Sequence, residues 1–319
     1  MLITIGAFDG FHKGHEELLD ICRRNAEGSD WGVVSFYPHP FEFMHKINHS
    51  VFTLQERELI RKIIGIPSMY VLRFDDALRN LKPQEFWKLP RMRFNVDGLV
   101  MGSDFHFGLN RSGTAECLES LARSDGIEKI IIADLFNKGR YSSSNVRSEI
   151  LSGNVEAASE ILGYPYCIMS RIIRGNQRGR TMNFPTANLN LSDHHIIPKS
   201  GVYASAVLVN HEYHCGALSI GNNPTFHDVN ELRAEVHILD FHDDVYDEVL
   251  PVFILGHVRD IKTFGNKTEL MNQIERDITE CRRIYEEVMK KEGMKKFFEK
   301  AAKIYNSGTD FNPEIITLI

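Results

Sequence analysis

The sequence predicts a two-domain protein, an α/β domain with a parallel sheet followed by a small antiparallel β domain. Three observations lead to this prediction. The chain has 319 residues, enough for two domains that each bury a core. Its first half alternates short apolar runs with stretches of helical periodicity. After residue 164 it becomes rich in β-prone runs separated by turn residues.

The first half repeats a pattern of strand followed by helix. Strands are predicted at 2–5, 31–36, 69–72, 98–101 and 129–132, and helices at 16–24, 54–64, 83–87 and 115–123. Strands that alternate with helices form parallel sheets whose two faces are covered. We therefore expect a mostly parallel sheet flanked by helices.

The predicted domain boundary lies where a short helix ends. A helix over 154–162 is followed by Gly163 and Pro165, two residue types that end helices. Beyond it, strands are predicted at 202–209, 218–220, 234–239 and 249–254, and a helix from Thr268 to Val288. The expected division is 1–164, then 165–290, then a helical extension over 291–319.

Charge and composition exclude several classes of protein. Apolar residues make up 43% of the chain and charged residues 25%, which is typical of a globular protein and not of a disordered one. The net charge of −6 argues against a surface that binds duplex nucleic acid. No apolar run reaches the roughly 18 residues of a membrane-spanning helix. These features predict a cytoplasmic protein without nucleic-acid or membrane partners, and they define no oligomeric state.

The segment from Ile3 to His15 has the layout of a phosphate site. It runs from the first predicted strand into the first helix, and its glycines allow a ligand to approach the backbone closely. His12 and His15 flank Gly14 at the head of the helix, where both imidazoles can face an anion that also meets free N–H groups. Two histidines at this spacing are more often simply solvated. The position between a strand and a helix favours the phosphate site here.

A second polar cluster, from Arg140 to Arg147, precedes the predicted boundary. Its serines can cap a helix, and the hydroxyls, the helix N–H groups and the Arg147 guanidinium together form an anion clamp. The simpler alternative is a helix cap without a ligand.

A third cluster lies in the second half. The stretch from Arg171 to Arg180 places four arginines in a glycine-punctuated segment, which indicates a phosphate partner in an acidic protein. In the following stretch, the side-chain oxygens of Thr186 and Asn188 can reach one hard cation such as Mg²⁺. Taken alone, the arginine segment or the stretch with Thr186 and Asn188 is better explained as a surface turn flanked by basic residues.

Four N-terminal motifs resemble the adenylyltransferase half of the bacterial bifunctional riboflavin kinase/FAD synthetase family. They are GAFDGFHKGH over 6–15, YPHP over 37–40, GSDFHFG over 102–108 and an SSTxxR-type motif within 140–147. The resemblance implies a Rossmann-like HxGH nucleotidyltransferase domain that joins FMN to the AMP part of ATP, giving FAD and pyrophosphate. It implies that His12 and His15 bind the triphosphate. The residues implied to line the nucleotide site are Gly6, Phe8, Asp9, His39, Asp104, Arg140, Ser143 and Arg147.

The second half resembles the riboflavin kinase module of the same family. The motifs are GxxxGR over 175–180, FPTAN over 184–188, GVYA over 201–204, IGNNPTF over 220–226 and EVHILDF over 235–241. The resemblance implies a six-stranded Greek-key β-barrel with a C-terminal helix, in which ATP phosphorylates riboflavin to FMN. ATP, riboflavin and FMN are thus the implied small-molecule partners.

The same resemblance implies roles for individual residues of the barrel. Thr186 and Asn188 hold Mg²⁺ with the ATP phosphates, and Glu235 is the base for the 5′-hydroxyl of riboflavin. Without the resemblance, Glu235 would be interpreted as an outward charge on an alternating strand. The other implied residues are Gly175, Gly179 and Arg180 in the loop that covers the phosphates, and Arg259 near the flavin. At two positions the chain differs from the family pattern, with Ala7 in place of a frequent Asn and Asn183 in place of a usual Gly.

Two other functions fit some of these motifs. One is adenylyl transfer to another phosphorylated cofactor precursor, because other HxGH enzymes share the N-terminal motif, but the attached kinase-like module argues against it. The other is a non-catalytic flavin- or nucleotide-binding regulator that keeps the fold and has lost one or both activities. Retention of His12, His15, Thr186, Asn188 and Glu235 argues against this loss.

The extension over 291–319 combines lysines with aromatic residues. It is expected either to meet a partner or a membrane surface, or to form an added helix that packs its aromatic face on one domain while its lysines stay solvated.

Overall fold

The computed structural model describes residues 1–26, 28, 30–47, 50–134, 139–174, 184–191, 196–222, 232–307, 311 and 315–316. The chain forms two compact units, Met1–Ser143 with Asp310–Ile319, and Ser144–Thr309. Within the described ranges, no helix combines the length and the apolar composition needed to cross a membrane.

Strands and helices are numbered here in chain order. The strands are β1 (Leu2–Ile5), β2 (Trp31–Tyr37), β3 (Ser68–Arg73), β4 (Gly98–Gly102), β5 (Lys129–Ala133), β6 (Tyr166–Ile173), β7 (Ala187–Leu189), β8 (Gly201–Val209), β9 (Glu212–Asn222), β10 (Leu232–Ile238), β11 (Val249–Asp260) and β12 (Ile315–Ile316). The helices are α1 (Lys13–Asn25), α2 (Pro40–His45), α3 (Leu54–Ile64), α4 (Asp76–Arg79), α5 (Pro83–Arg93), α6 (Ala115–Ser124), α7 (Ser143–Ser152), α8 (Val155–Leu162), α9 (Lys267–Lys290) and α10 (Glu292–Asn306).

The first unit is built on a six-stranded sheet with the order β12-β3-β2-β1-β4-β5, in which every neighbouring pair is parallel. This confirms the predicted α/β domain with a parallel sheet. Strands β1 and β4 are buried along their whole length, as expected for a sheet covered on both faces. Ile3, Phe36 and Leu99 of the sheet pack in one core with Trp87 of α5 and Leu118 of α6.

Capping residues determine where the helices begin and end. Helix α3 has the predicted bounds because Thr53 and Glu56 form a capping box and Gly65 ends the helix at φ 85°. Helix α1 begins at Lys13, three residues before its predicted start. The reason is that His12 takes the extended backbone of an N-cap, with φ −65° and ψ 168°.

Strand order brings the N-terminal motifs to one edge of the sheet. The chain adds β2 and β3 on one side of β1 and then crosses to add β4 and β5 on the other side. Loops that follow parallel strands all lie at the carboxyl edge, and ligands bind where the order reverses, here beside β1 and β4. The segments with His12, His39, Asp104 and Arg140 follow β1, β2, β4 and β5 respectively. The fold therefore gathers them at this edge.

The second unit is a closed six-stranded antiparallel barrel with the order β10-β7-β6-β11-β8-β9. This confirms the barrel that the resemblance implied. Along β10, Ala234, Val236 and Ile238 are buried, whereas Glu235 and His237 are half-buried. Because successive strand residues face opposite sides, Glu235 and His237 lie together on the outer face of the barrel.

The two compact units divide at Ser143 and Ser144, whereas the sequence placed the boundary near residue 164. Helices α7 and α8 belong to the second unit because α8 packs on β6 and β11. One contact that holds it is the Glu156 Oε1 atom, which accepts a hydrogen bond from His257 N of β11 at 2.9 Å. The sequence located the end of α8 correctly but not the sheet on which the helix packs.

Helix α10 packs its aromatic face on the barrel. The Phe298 side chain is 2% exposed, and its ring meets the rings of Phe253 and Tyr213 edge-on at centroid distances of 5.4 and 4.8 Å. Lys295, Lys296, Lys300 and Lys303 are exposed. This arrangement is the second of the two expectations for the extension.

The extension is not helical to its end. After α10, the chain returns to the first unit, where Ile315 and Ile316 pair in parallel with Val71 and Leu72 of the edge strand β3. The prediction of a helix over the whole of 291–319 is wrong on this point. A two-residue strand forms through backbone pairing with an available edge, and side-chain periodicity does not reveal it.

Candidate active sites

His12 and His15 form a stacked pair at the start of α1. Their ring centroids are 3.8 Å apart with an angle of 18° between the planes, and Phe8 packs against the His15 ring at 5.0 Å. His12 is 6% exposed. Burial, and secondarily the charge on His12, lowers the pKa of His15 well below its ordinary value of 6.5. His15 is therefore neutral at pH 7.

The His15 Nδ1 atom is buried and has no hydrogen-bond partner among the described residues. A buried polar atom without a partner costs stability, and such atoms are found at sites built for a ligand. The first turn of α1 adds backbone N–H groups and the positive end of its dipole. The pair is thus suited to an anion.

The loop before the histidines is held by a buried ion pair. Phe8 and Phe11 have positive φ values of 42° and 41°, a conformation that is uncommon outside glycine. Between them, the Asp9 carboxylate accepts a hydrogen bond from Val51 N at 2.9 Å and lies 3.8 Å from the Arg57 guanidinium. Both charged side chains are essentially inaccessible to solvent. Asp9 therefore faces inward and fixes the loop.

Arg57 is a buried residue beside the candidate site that sequence reasoning missed. Its guanidinium donates to Ser35 Oγ at 3.3 Å and to Phe36 O at 3.2 Å, and Ser35 Oγ donates to Ala7 O at 2.7 Å. Arg57 thus ties the loop, strand β2 and helix α3 together. In the sequence it stands among charged helix residues, where it resembles an ordinary solvated arginine. Only the tertiary fold reveals its burial.

Gly14 allows the segment after β5 to approach α1. A Cβ atom at this position would clash with the Tyr141 backbone oxygen, so no larger residue fits here without a shift of the backbone. The Tyr141 ring also receives Lys13 Nζ at 5.8 Å and Arg140 Cζ at 5.4 Å from its centroid. The structure therefore places Tyr141 against the start of α1, with Arg140 on its ring.

The remaining predicted residues of the nucleotide site lie at a helix cap, in loops after strands and at the start of α7. His39 caps α2, and because its Nδ1 accepts from Phe41 N at 3.1 Å, the neutral ring carries its proton on Nε2. Asp104 is exposed after β4, Gly6 follows β1, and Ser143 begins α7. Arg147 lies one turn into α7 in the second unit, is 8% exposed and donates to Ser144 Oγ at 3.3 Å.

We expect the stability of the first unit to fall as the pH drops below 6.5. Above that value His15 is neutral in both the folded and the unfolded chain. Below it the unfolded chain takes up a proton that the folded chain resists, so the free energy of unfolding decreases, by up to about 1.4 kcal/mol per pH unit. Both tryptophans of the chain, Trp31 and Trp87, lie in this unit. Denaturation followed by their fluorescence therefore reports on it.

The free energy of unfolding is measured for the wild type and for His15→Asn from pH 7.5 to pH 5.5. The variant is expected to lose stability less steeply than the wild type on acidification. Parallel curves for the two proteins would contradict the buried, neutral state of His15.

The second candidate site lies on the outer face of the barrel, between β7 and β10. Glu235 and Asn188 stand directly opposite each other in the antiparallel ladder, so their side chains share a face. Thr186 precedes β7, and its Oγ1 donates to Glu235 Oε2 at 3.2 Å. The structure thus joins the three barrel residues that the resemblance singled out.

Arg259 is held by a carboxylate that sequence reasoning missed. Its Nε and Nη2 atoms donate to Asp277 of α9 at 2.7 to 3.0 Å, and its Nη1 atom donates to Asp260 O. The Asp277 side chain is buried and also accepts from Gln273 Nε2 at 2.8 Å. This bidentate ion pair fixes the Arg259 guanidinium. Helical periodicity placed position 277 on α9 but gave no sign of its partner.

Several predicted positions lie outside the described residues. They are Gly175, Gly179, Arg180, Asn183 and residues 223–226 of the IGNNPTF motif.

The fold defines a class of protein, in which a parallel α/β domain of the type that binds nucleotides is combined with a closed six-stranded β-barrel. A family model described as FAD synthetase matches residues 1–146, and one described as riboflavin kinase matches residues 162–285. The chain belongs to the family of bifunctional riboflavin kinase/FMN adenylyltransferases.

Proteins of that name from three bacteria align with most of the chain. The protein from Listeria monocytogenes is 33% identical over 291 residues, which cover 89% of this chain and 92% of the relative. The Bacillus subtilis protein is 31% identical, with coverage of 91% and 94%, and the Escherichia coli protein is 32% identical, with coverage of 89% and 92%.

A solved structure also shares the fold. A crystal structure from Streptococcus pneumoniae, described as that of a macrolide-efflux protein, superposes with a TM-score of 0.74 at 33% identity. The superposition covers 88% of this chain and 93% of that chain.

Proposed function

We propose that this chain makes FAD from riboflavin in two steps, each in its own unit. The barrel transfers the γ-phosphoryl group of ATP to riboflavin, giving FMN and ADP. The α/β unit then joins FMN to the AMP part of a second ATP, giving FAD and pyrophosphate. The observation that carries the proposal is the meeting of Thr186, Asn188 and Glu235 on one face of the barrel, in a chain whose other unit holds the stacked His12 and His15.

In the barrel, Glu235 acts as the general base. Among the described residues its only hydrogen-bond partner is Thr186, at Oε2, which leaves Oε1 for the 5′-hydroxyl of riboflavin. As that oxygen bonds to the γ-phosphorus, the bond to the β–γ bridging oxygen breaks and ADP departs. The hydroxyl proton passes to Glu235. The base is needed only as the phosphoryl group arrives, a role that a half-buried carboxylate can fill.

In the α/β unit, the protein positions two anions and stabilises the leaving group. A phosphate oxygen of FMN attacks the α-phosphorus of ATP in line, and the bond to the bridging oxygen of pyrophosphate breaks. Neutral His15 donates one N–H to the triphosphate, together with His12 and the N–H groups at the start of α1. The reaction needs orientation and charge stabilisation but no side-chain nucleophile.

The donor set on the barrel fits a magnesium ion. Mg²⁺ prefers oxygen ligands and is usually held by one or two side chains together with substrate phosphates. Thr186 can donate its proton to Glu235 while its lone pairs remain available, and Asn188 adds an amide oxygen on the same face. When bound, the ion neutralises charge on the transferred phosphoryl group. The described residues contain no cluster of three His, Cys, Asp or Glu side chains that would suit a different metal.

We assign supporting roles to the other predicted residues. In the first unit, the residues that we assign to nucleotide contact in the adenylyl transfer are Gly6, Phe8, His39, Asp104, Arg140 and Ser143. Asp9 instead fixes the loop from within. On the barrel, we assign Arg259, which Asp277 fixes, to the binding of the flavin. The partners are ATP, riboflavin and FMN, and we place the protein in the cytoplasm, where ATP is available.

Product analysis tests this function. The purified chain is incubated with riboflavin, ATP and Mg²⁺, and separately with FMN, ATP and Mg²⁺, and the flavins are separated by chromatography. We expect FMN and FAD from the first mixture and FAD from the second. FMN alone from the first, with no product from the second, would refute the assignment of the α/β unit. No product in either mixture would refute both.

A further inference from the structure

His237 contacts the segment that carries Thr186. It lies two residues after Glu235 on β10, so both side chains emerge on the outer face of the barrel. The His237 Nδ1 atom lies 2.7 Å from Pro185 O. Because a carbonyl oxygen only accepts, the ring must carry a proton on Nδ1 and donate it to Pro185.

The hydrogen bond falls where the strand ladder ends. Strand β10 pairs with β7 at Leu189, Asn188 and Ala187, and Thr186 and Pro185 lie beyond the last paired residue. Proline has no N–H to donate to a ladder. The side chain of His237 therefore supplies a cross-connection that backbone pairing does not provide at this point.

A second contact reinforces the first. The Phe184 ring meets the His237 ring edge-on, with centroids 5.7 Å apart at an angle of 89°. His237 thus holds the two residues that immediately precede Thr186. Thr186 in turn donates to Glu235 at 3.2 Å. His237, Pro185, Thr186 and Glu235 form a closed ring of contacts through the β10 backbone.

We propose that His237 is a positioning residue for phosphoryl transfer in the barrel, because its Nδ1–H fixes Pro185 and so sets Thr186 relative to Glu235. The inference rests on the proposed kinase function of the barrel. Loss of the hydrogen bond from His237 to Pro185 is expected to affect the binding of Mg²⁺ and ATP. If the tether is lost, the Thr186 hydroxyl spends less time where Mg²⁺ and the ATP phosphates require it. A displacement of about 1 Å at such a site can cost up to about 100-fold in rate.

Three substitutions separate the hydrogen bond from the ring contact. His237→Phe keeps a ring against Phe184 but removes the donor, and His237→Ala removes both. His237→Asn places an amide N–H near the position of Nδ1 and restores the donor. His214→Phe is the matched control, since His214 lies on β9 of the same barrel and packs edge-on against Phe241, at 5.2 Å, rather than against residues 184–186.

The kinetic test measures FMN formation as a function of Mg²⁺ and ATP concentration. We expect His237→Phe and His237→Ala to lower kcat/KM by up to about tenfold, the effect of one lost hydrogen bond. Both should also raise the Mg²⁺ concentration for half-maximal rate. His237→Asn should recover most of the loss. FAD formation from FMN should not change in any variant. A lower rate of FMN formation with an unchanged Mg²⁺ concentration for half-maximal rate would indicate only a smaller folded fraction. That result would overturn the proposal.

A measurement without substrate completes the test. Amide hydrogen exchange over residues 186–190 should be faster in His237→Phe than in the wild type and near the wild-type rate in His237→Asn, with β8 and β11 unaffected. Equal exchange in all variants would overturn the positioning role even if the wild type made no FMN. Absence of FMN formation by the wild type would instead refute the proposed kinase function, so the two failures are distinguishable.

Discussion

Replacing Glu235 with glutamine is expected to lower the rate of FMN formation by about 10²- to 10⁴-fold, the usual contribution of a general base. Glutamine has nearly the same shape, and its amide oxygen can still accept the hydrogen bond from Thr186. It cannot take the proton of the riboflavin hydroxyl. The barrel should therefore keep its fold and its affinity for substrates while losing kcat.

Two controls accompany this prediction. FAD formation from FMN by the same variant should proceed at the wild-type rate, because that step belongs to the other unit. Glu212→Gln neutralises an exposed carboxylate at the start of the neighbouring strand β9 and should leave both steps unchanged. Comparable loss of both activities in Glu235→Gln would contradict the model of two separate sites.

The second large effect is expected from His15→Asn. FAD formation from FMN should fall by about 10²- to 10³-fold, as when a preorganised donor to a developing anion is removed. FMN formation should be unaffected. Asparagine keeps a polar atom near the position of the buried Nδ1 atom, which has no partner among the described residues. The substitution therefore breaks no hydrogen bond to them, and the stability of the first unit at pH 7 should stay close to that of the wild type.

This combination distinguishes a functional residue from a structural one. A histidine that merely packs against Phe8 and His12 would lower stability and activity together when replaced. His45→Asn, a change at an exposed histidine of the same unit, serves as the control and should leave the rate intact. FAD synthesis at nearly the wild-type rate in His15→Asn would show that the phosphate-site interpretation of α1 is wrong.

Local patterns in the sequence predicted many of the regular elements of both units, but not β6, β7, α2 or α4. The bounds of β1 and α3 follow from an apolar run and from a capping box with a terminal glycine. Contacts between distant segments were beyond these patterns. The burial of Arg57 beside Asp9, the pairing of Arg259 with Asp277, and the return of β12 to β3 each depend on residues far apart in the chain.

The two candidate sites also differ in whether their residues are near or distant in the sequence. His12 and His15 are three residues apart at a helix start, so their proximity could be predicted from spacing alone. Thr186 and Glu235 are 49 residues apart. Only the family resemblance brought them into one site before the barrel was known, because alternation along β10 makes Glu235 look like any outward charge. His237 had no distinguishing pattern, and its contact with Pro185 became visible only in the fold.

The central claim is that one chain carries two independent sites. It is tested most directly by mixing two variants that each lack one of the two activities. Glu235→Gln and His15→Asn are incubated separately and together with riboflavin, ATP and Mg²⁺, and the flavins are separated over time. Alone, the first should leave riboflavin unchanged and the second should stop at FMN. Together they should produce FAD, because FMN made by one protein is consumed by the other. Failure of the mixture to make FAD, or FAD formation by either variant alone at the wild-type rate, would contradict the account.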